Sequence, residues 1–263
     1  MPFIHHLAKC AIALALSTTI FVAQASTDKN PATAGKVFGV LSLIGDRLDI
    51  VIATPEGGNN MSPTQRESLP MAETVFDDTV LGAIVTAVRR VSPDAELASI
   101  NTRSPVLFEK HRTLFEERGN TIAIPEAIRD ALKTQNATHL FLVTKRRDEA
   151  SALFDDAITE ARGKVEGLGF YLDPSIETRD GVTGRTGLGY IAPYAFFDIR
   201  LIDLASSSVI RRQKVVDSWP VASTAAATSL RSLWEALSAA SKVRLVNDLI
   251  KREILRMVPS MLR

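Results

Sequence analysis

The distribution of apolar residues predicts β-strands in the first half of the chain. Residues 37–44 and 47–53 are two apolar, β-rich runs separated by a Gly-Asp pair, so we expect a hairpin with a tight turn. Residues 54–70 contain several prolines and a glycine pair, and this composition indicates a long loop. Residues 138–144 are apolar and rich in strand formers, which is typical of a central strand.

The second half of the chain has longer strand-like runs punctuated by glycine. Residues 165–172, 186–203 and 209–219 have the composition of strands. The short segment 204–207 between the last two runs predicts a second hairpin. Ile199 and Leu201 alternate with Arg200 and Ile202, which indicates that one face of this strand meets solvent.

Helices are predicted where apolar residues recur at every third or fourth position. Such segments are 77–90, which begins with two aspartates, 106–118, 126–135, which follows a proline, and 241–258. The apolar stripe of the last segment consists of Val243, Val246, Leu249, Ile250, Ile254, Met257 and Val258. Together these elements predict an α/β (α+β) fold, with a mixed, largely antiparallel sheet, two hairpins, and two or three packed helices that include the C-terminal amphipathic helix.

The amino terminus has the features of a secretory signal peptide. Residues 1–25 contain a basic start, an apolar region and the small-residue pattern Ala-Gln-Ala, so we expect cleavage before Ser26. The apolar region is too short for a good membrane span. We then expect a flexible mature terminus at 26–35 and a single α/β domain at 36–263.

Composition limits the class of protein further. The single cysteine, Cys10, leaves with the signal peptide, so the mature chain has no disulfide, which favours the bacterial periplasm over secretion from a eukaryotic cell. The 31 Lys and Arg residues balance 30 Asp and Glu residues, and this balance argues against nucleic-acid binding. The C-terminal helix is locally basic, so it either lies on anionic lipid or docks its apolar stripe on the sheet.

The residue patterns contain no catalytic or metal-binding grouping. The glycine-rich stretch 181–189 is followed by a strand instead of a helix, so it does not have the form of a phosphate-binding loop. His111 is expected in a solvated charge cluster and His139 at a satisfied edge or core position. Asp155 and Asp156 are a candidate acid pair. We therefore predict no cofactor and no metal.

An aromatic concentration beside the glycine-rich stretch is the best candidate for a partner-binding patch. If its side chains are exposed, they mark an interface, because large exposed apolar patches are rare on isolated domains. The predicted partner-binding residues are Gly184, Gly187, Gly189, Tyr190, Tyr194 and Phe196, with Phe197 and Trp219 nearby.

The order of elements resembles the envelope-protein class of the curli secretion channel and the TolB amino-terminal domain. In that class an aspartate ends a strand, a Thr/Ser-Gly turn follows, and Ile or Leu opens the next strand. Here Asp203 ends the strand, residues 206–208 are serines without the glycine, and Ile210 lies in the next strand. The resemblance covers residues 36–258 and implies a non-enzymatic part of an envelope assembly, although the lipid-anchoring cysteine common in that class is missing.

These observations favour an exported, soluble periplasmic protein that binds another envelope protein or complex without catalysis. The alternative is a small-ligand-binding protein or hydrolase that uses carboxylates and hydroxyls, with Asp155, Asp156 and His139 as its candidate residues. An interaction protein should present an exposed apolar patch, whereas an enzyme or ligand binder should present a pocket with convergent polar groups.

Overall fold

A computed structural model describes residues 16–21, 35–53, 64–153, 164–179, 184, 186–219, 221–222 and 234–263. In these ranges one mixed sheet of thirteen strands is packed by four helices, which confirms the predicted mixed α/β class with one helix more than the two or three expected. Val37–Leu43 pairs in parallel with Glu96–Thr102 and with His139–Lys145, Arg47–Ala53 pairs in parallel with Lys164–Arg179, and the other strand pairs are antiparallel. The helices are α1 (Val75–Val91), α2 (Pro105–Leu114), α3 (Glu126–Thr134) and α4 (Ala239–Met261). The strands are β1 (Leu16–Phe21), β2 (Val37–Leu43), β3 (Arg47–Ala53), β4 (Thr64–Pro70), β5 (Glu96–Thr102), β6 (Glu117–Arg118), β7 (Thr121–Ile122), β8 (His139–Lys145), β9 (Arg147–Glu149), β10 (Lys164–Arg179), β11 (Thr186–Asp203), β12 (Ser208–Ser218) and β13 (Val221–Ala222).

The long strand β11 organises the sheet. Along one edge, its first part pairs with β10 up to Phe196 opposite Gly167, and its second part pairs with β8 from Phe197 opposite Lys145. Along its other edge it pairs with β12 and β13. Strands β10 and β8 therefore lie end to end in one row beside β11.

The next row consists of β2 and β3, which also follow each other end to end. Strand β2 pairs with β8 and β5, while β3 pairs with β10 and β4, so the predicted hairpin between them is wrong. Nearly every residue of β2 is buried, and a strand apolar on both faces suits the interior of a sheet between parallel neighbours. Asp77 of α1 stabilises the junction by accepting hydrogen bonds from Ser42 Oγ (2.5 Å) and the Ile44 amide (3.1 Å).

Two further expectations about loops have different outcomes. A loop was expected at residues 54–70, but residues 64–70 form the edge strand β4, which pairs with β3. Residues 54–63 lie outside the described residues. The second hairpin is confirmed, because β11 and β12 pair antiparallel around 204–207, where Ser207 has a φ of 54°. Strands β10 and β11 form a further antiparallel pair, with Arg179 opposite Thr186.

The sheet carries apolar cores on both faces. One face, here called the helical face, is covered by α1 and α4, and the apolar stripe of α4 packs on it through Val246, Leu249, Ile250, Ile254 and Val258. The opposite face is covered by α2 and α3. Of the two alternatives for α4, contact with anionic lipid or docking of its apolar stripe on the sheet, the structure shows docking. Within the described ranges, no helix combines the length and apolarity that crossing a membrane requires.

Candidate functional site

The predicted aromatic patch is largely part of the core. Tyr194, Phe196 and Phe197 are each 0% exposed, so the expectation that Tyr194 and Phe196 present a contact surface is wrong. Tyr194 and Phe196 lie on the same face of β11 and pack edge to face, with ring centroids 5.7 Å apart. The alternation of residues along a strand does not show whether one or both of its faces are covered. In β11 both faces are covered at these positions. Trp219 remains exposed at 53%.

The glycines of the predicted patch are placed along the β10–β11 hairpin. Gly187 is opposite Thr178, while Gly184 and Gly189 have φ values of 69° and 86°, a backbone conformation that glycine adopts readily. Tyr190 pairs through its backbone with Asp173, and its side chain lies outside the described residues. The structure therefore explains glycine at positions 184 and 189 by backbone conformation, and contact of these four residues with a partner stays a prediction.

Of the residues proposed for the enzymatic alternative, His139 alone lies among the described residues. His139 is 9% exposed, its Nδ1 is 2.9 Å from Thr138 Oγ1, and its ring centroid is 5.5 Å from that of Phe38. Burial lowers its pKa. The expectation of a satisfied core or edge position is thus confirmed for His139, while Asp155 and Asp156 lie outside the described residues.

The structure brings charged residues together at a different place, on the face opposite the helical face. There a cleft of about 670 Å³ lies between the end of α2, the ends of β8 and β9, and strands β11 and β12. Seven Lys and Arg side chains and four carboxylates line it. We call it the charged cleft; its lining is His111, Arg112, Phe115, Glu117, Thr144, Lys145, Arg146, Arg147, Asp148, Glu149, Lys164, Asp198, Arg200 and Arg212.

Arg200 is the best-connected cation of the charged cleft. Its Nε is 2.6 Å from Glu117 Oε1, its Nη1 donates to Thr144 Oγ1 at 2.6 Å, and its Nη2 is 3.4 Å from Asp198 Oδ2. The side chain is 13% exposed, and burial lowers its pKa without discharging a guanidinium. Asp198 is also 3.5 Å from Arg146 Nη1, so it joins two arginines.

Ion pairs also stabilise the rim of the charged cleft. Arg146 donates from Nε and Nη2 to Asp148 Oδ2, at 3.0 and 2.7 Å, and this hydrogen bonding lowers the pKa of Asp148. Arg212 forms an ion pair with Glu117, and Lys164 is 3.4 Å from Glu149. The charges of the rim are therefore largely paired with one another.

Lys145 is a buried cation at the end of β8. It is 4% exposed, pairs with Asp46 from the β2–β3 junction, and lies 5.9 Å from the centroid of the Phe108 ring. A buried ammonium without such partners would be costly. The pairing explains how a lysine is accommodated here, and it connects the charged cleft to the central rows of the sheet.

His111 places an unoccupied hydrogen-bond acceptor at the charged cleft. It is 5% exposed, so the expectation of a solvated charge cluster is wrong. Its Nδ1 is 2.9 Å from the Phe108 carbonyl, which can only accept, so Nδ1 carries the proton. Burial lowers the pKa of His111, and the neutral ring then leaves Nε2 as an acceptor with no hydrogen-bond partner among the described residues.

The chemistry of the charged cleft follows from how its side chains are paired. Its polar groups converge, but most of its cations are engaged by acids, and no serine or cysteine stands beside His111 among the described residues of its lining. Among the described residues no group of three or more His, Cys, Asp and Glu side chains could hold a metal ion. An incoming group with carboxylate or phosphate oxygens could contact the exposed guanidinium of Arg147, whereas His111 Nε2 is itself buried from solvent.

Sequence reasoning did not find the charged cleft, although part of its signal was visible. The alternation around Arg200 indicated a wet face, and Arg200 does lie in the cleft, but Ile202 beside it is fully buried. Residues 145–148 could be interpreted only as the end of a strand. These residues lie close to Glu117 and Arg212 only because the sheet places strands that are distant in sequence beside one another.

The comparisons with known proteins add little to this geometry. No family model matches the chain, and no curated protein matches it. Among solved structures, protein XCC0632 from Xanthomonas campestris, described by the DUF330 family model, is similar with a TM-score of 0.37 and 11% identity over 89% of this chain and 89% of that chain. A likeness at this level carries no argument about the fold or the function of this chain.

Proposed function

We propose that the mature chain is an exported, periplasmic binding component of the bacterial cell envelope that acts without catalysis. Its export is supported by the signal-like residues 1–25. The observation that carries the binding function is the charged cleft, where buried and exposed charges from several strands and one helix converge. The resemblance to the curli-channel and TolB class stays a prediction that agrees with this role.

The charged cleft replaces the aromatic patch as the proposed contact site. Arg147 is exposed at its rim and forms no ion pair within the part of the chain that the structure describes, so it is available to an incoming acid. Complementary charges across an interface mainly determine the specificity of binding and its association rate. We therefore expect the envelope partner to present a carboxylate-rich or phosphate-bearing segment to the cleft.

A photo-crosslinking experiment in intact cells of the source organism tests this function. A photoreactive amino acid at the exposed rim residue Glu149, which leaves Arg147 in place, should capture one reproducible envelope protein, which mass spectrometry identifies. The same amino acid at Arg244, which is exposed on α4 on the opposite face, is the matched control and should not capture it. Equal capture from both positions, or capture from a neighbouring rim position that Arg147→Glu leaves unchanged, would contradict the proposed contact site.

A second candidate function is the binding of a small anionic ligand in the same cleft. It is favoured by the volume of about 670 Å³, which falls in the range of small-molecule sites. Thermal unfolding of the mature protein with panels of organic acids and phosphorylated metabolites separates the two. A ligand that raises Tm for the unmodified protein but not for Arg147→Glu would favour this candidate over a protein partner.

A further inference from the structure

Three strands at or next to the edges of the sheet differ in how they are protected against pairing with another chain. Strand β4 contains Arg66, Glu67 and Pro70, and strand β12 contains Arg211, Arg212 and Lys214. Charges and proline on an edge are common devices against unwanted strand addition. Strand β5 carries a charge at Glu96 and then none from residue 97 to residue 102.

The unprotected edge of β5 is occupied by β1. The two strands pair antiparallel over six positions, from Leu16 opposite Thr102 to Phe21 opposite Leu97, so β1 covers the uncharged part of β5. Strand β1 lies within residues 1–25, which the proposed export would remove. The mature protein then has a bare edge along these residues, whose backbone hydrogen-bonding groups lack a strand partner on that side.

Strand β5 is held in the sheet independently of β1. It pairs in parallel with β2, from Val37 opposite Glu96 to Leu41 opposite Ile100. Its side chains join both cores, since Leu97 belongs to the helical face and Ile100 to the face covered by α2 and α3. Removal of β1 should therefore expose the edge without releasing β5.

We infer that, in the mature protein, the β5 edge accepts an extended segment of a partner protein as an added antiparallel strand. This inference rests on the proposed export. Strand addition gains affinity from main-chain hydrogen bonds, and specificity from alternate side chains. The segment seated on the edge within this chain has the sequence Leu-Ser-Thr-Thr-Ile-Phe, so the expected partner segment is uncharged and rich in β-branched residues. The adjoining residues 26–35 are a poor substitute, because they include Asp28, Lys29 and Pro31.

A peptide-binding experiment on the mature chain, residues 26–263, tests this inference. The probe is a fluorescent peptide of residues 15–22 with flanking lysines for solubility, and its matched control carries Thr18→Pro, which removes one backbone donor from the strand. We expect saturable binding of the probe and at least about tenfold weaker binding of the control, which corresponds to about 1.4 kcal/mol. Hydrogen exchange should slow clearly at those amides of residues 97–102 that face the β1 side, since the alternate amides face β2, while exchange in β4 and β12 should not change.

A charged substitution on the edge provides a second measurement. Asn101→Lys places on β5 the kind of charge that protects β12, and it should weaken binding of the probe to a similar extent. Gln65→Lys on the β4 edge is the matched control and should leave binding unchanged. Circular dichroism checks that both variants fold; if Asn101→Lys does not, the proline peptide still decides.

Three outcomes would overturn the inference. They are the absence of saturable binding, equal binding of the Thr18→Pro peptide, and a dimer of the mature chain that the probe cannot dissociate, which would assign the edge to a second copy. These measurements are independent of the charged cleft. If mass spectrometry of the exported protein finds residues 1–25 still attached, export with cleavage fails, whereas a failed peptide experiment on residues 26–263 rejects the β5 edge alone.

Discussion

The two faces of the sheet are built from the same strands, but they are covered differently. On β11, Phe197, Ile199 and Leu201 point to the helical face and are buried under α1 and α4. Between them, Asp198 and Arg200 point to the opposite face and line the charged cleft. Side chains sealed under a helix are apolar, whereas buried charges at the open cleft beside the end of α2 are accommodated by their ion-pair partners. One strand therefore contributes both to stability and to the candidate site.

The largest effect is expected from the helical face. Phe197→Ala should lower the free energy of unfolding by about 3–5 kcal/mol, because it removes a fully buried ring from a packed core. Equilibrium denaturant unfolding of the mature chain measures the loss. Phe197→Leu, which leaves a smaller cavity, should lose less. If Phe197→Ala lowers the free energy of unfolding by less than about 1 kcal/mol, the helical face is not the tightly packed face of the sheet.

A smaller effect is expected further along the same strand, at the charged cleft. Arg200→Ala should cost about 1–3 kcal/mol, because it removes one of the two arginines that pair with each of Glu117 and Asp198 in a partly buried site. Arg200→Lys should not restore stability, since an ammonium cannot reproduce contacts from three guanidinium nitrogens. A double-mutant cycle with Glu117→Ala should give a coupling of about 0.5–3 kcal/mol. Strict additivity would show that the pair contributes nothing as a unit.

The helical face also contains a carboxyl group, that of Asp77, so its contribution can be measured through the pH dependence of the free energy of unfolding. Burial raises its pKa to about 6, although hydrogen bonds from Ser42 and the amides of Ile44 and Gly45 act to lower it. The folded protein therefore favours the protonated acid. Asp77 makes its full stabilising contribution below pH 3.8, the pKa of the group in the unfolded chain. That contribution is lost as the pH rises through the folded-state pKa of about 6.

Asp77→Asn should remove that pH dependence. At pH 8 it should raise the free energy of unfolding by about 1–2 kcal/mol, because no charge has to be buried. Denaturant unfolding at a series of pH values from about 4 to about 8 compares the variant with the unmodified protein, and Asp78→Asn is a control at the exposed neighbouring position. If the stability profiles of the unmodified protein and of Asp77→Asn run parallel, another group causes the dependence.

The smallest effect is expected at the exposed end of β12. Trp219 is 53% exposed, and its ring centroid is 5.5 Å from Arg252 Cζ. Trp219→Ala should change the free energy of unfolding by less than about 1 kcal/mol, since the exposed cation–π contact is weak. Arg252→Ala, which also removes the ion pair with Asp217, is the companion variant. A loss as large as that of Phe197→Ala would show that Trp219 belongs to the core.

Local pattern predicted most of the elements but not their neighbours. The periodicity of 77–90 and 241–258 indicated α1 and α4, and both helices are present with slightly different ends. The hairpin expected from residues 37–53 is absent, because β2 and β3 each pair with strands far along the chain. Tight turns are local, whereas strand pairing depends on which distant strands are available.

The candidate site shows the same limit more strongly. Tyr194 and Phe196 were predicted to contact a partner, but both are 0% exposed. An aromatic residue in a strand has the same sequence signature whether its face is covered or open. The charged cleft, in turn, brings Glu117 to Arg200 across 83 positions of sequence.

The sequence by itself determined the class of the fold, the positions of its helices and most strands, and the signal-like amino terminus, because these depend on local propensity and apolar periodicity. Only the tertiary structure decided which strands are neighbours, which face of β11 is covered, and where the charges meet. These properties depend on long-range packing, in which Asp77 reaches the β2–β3 junction and Arg200 reaches Glu117. A single strand's sequence records which residues alternate, but not what packs against either side.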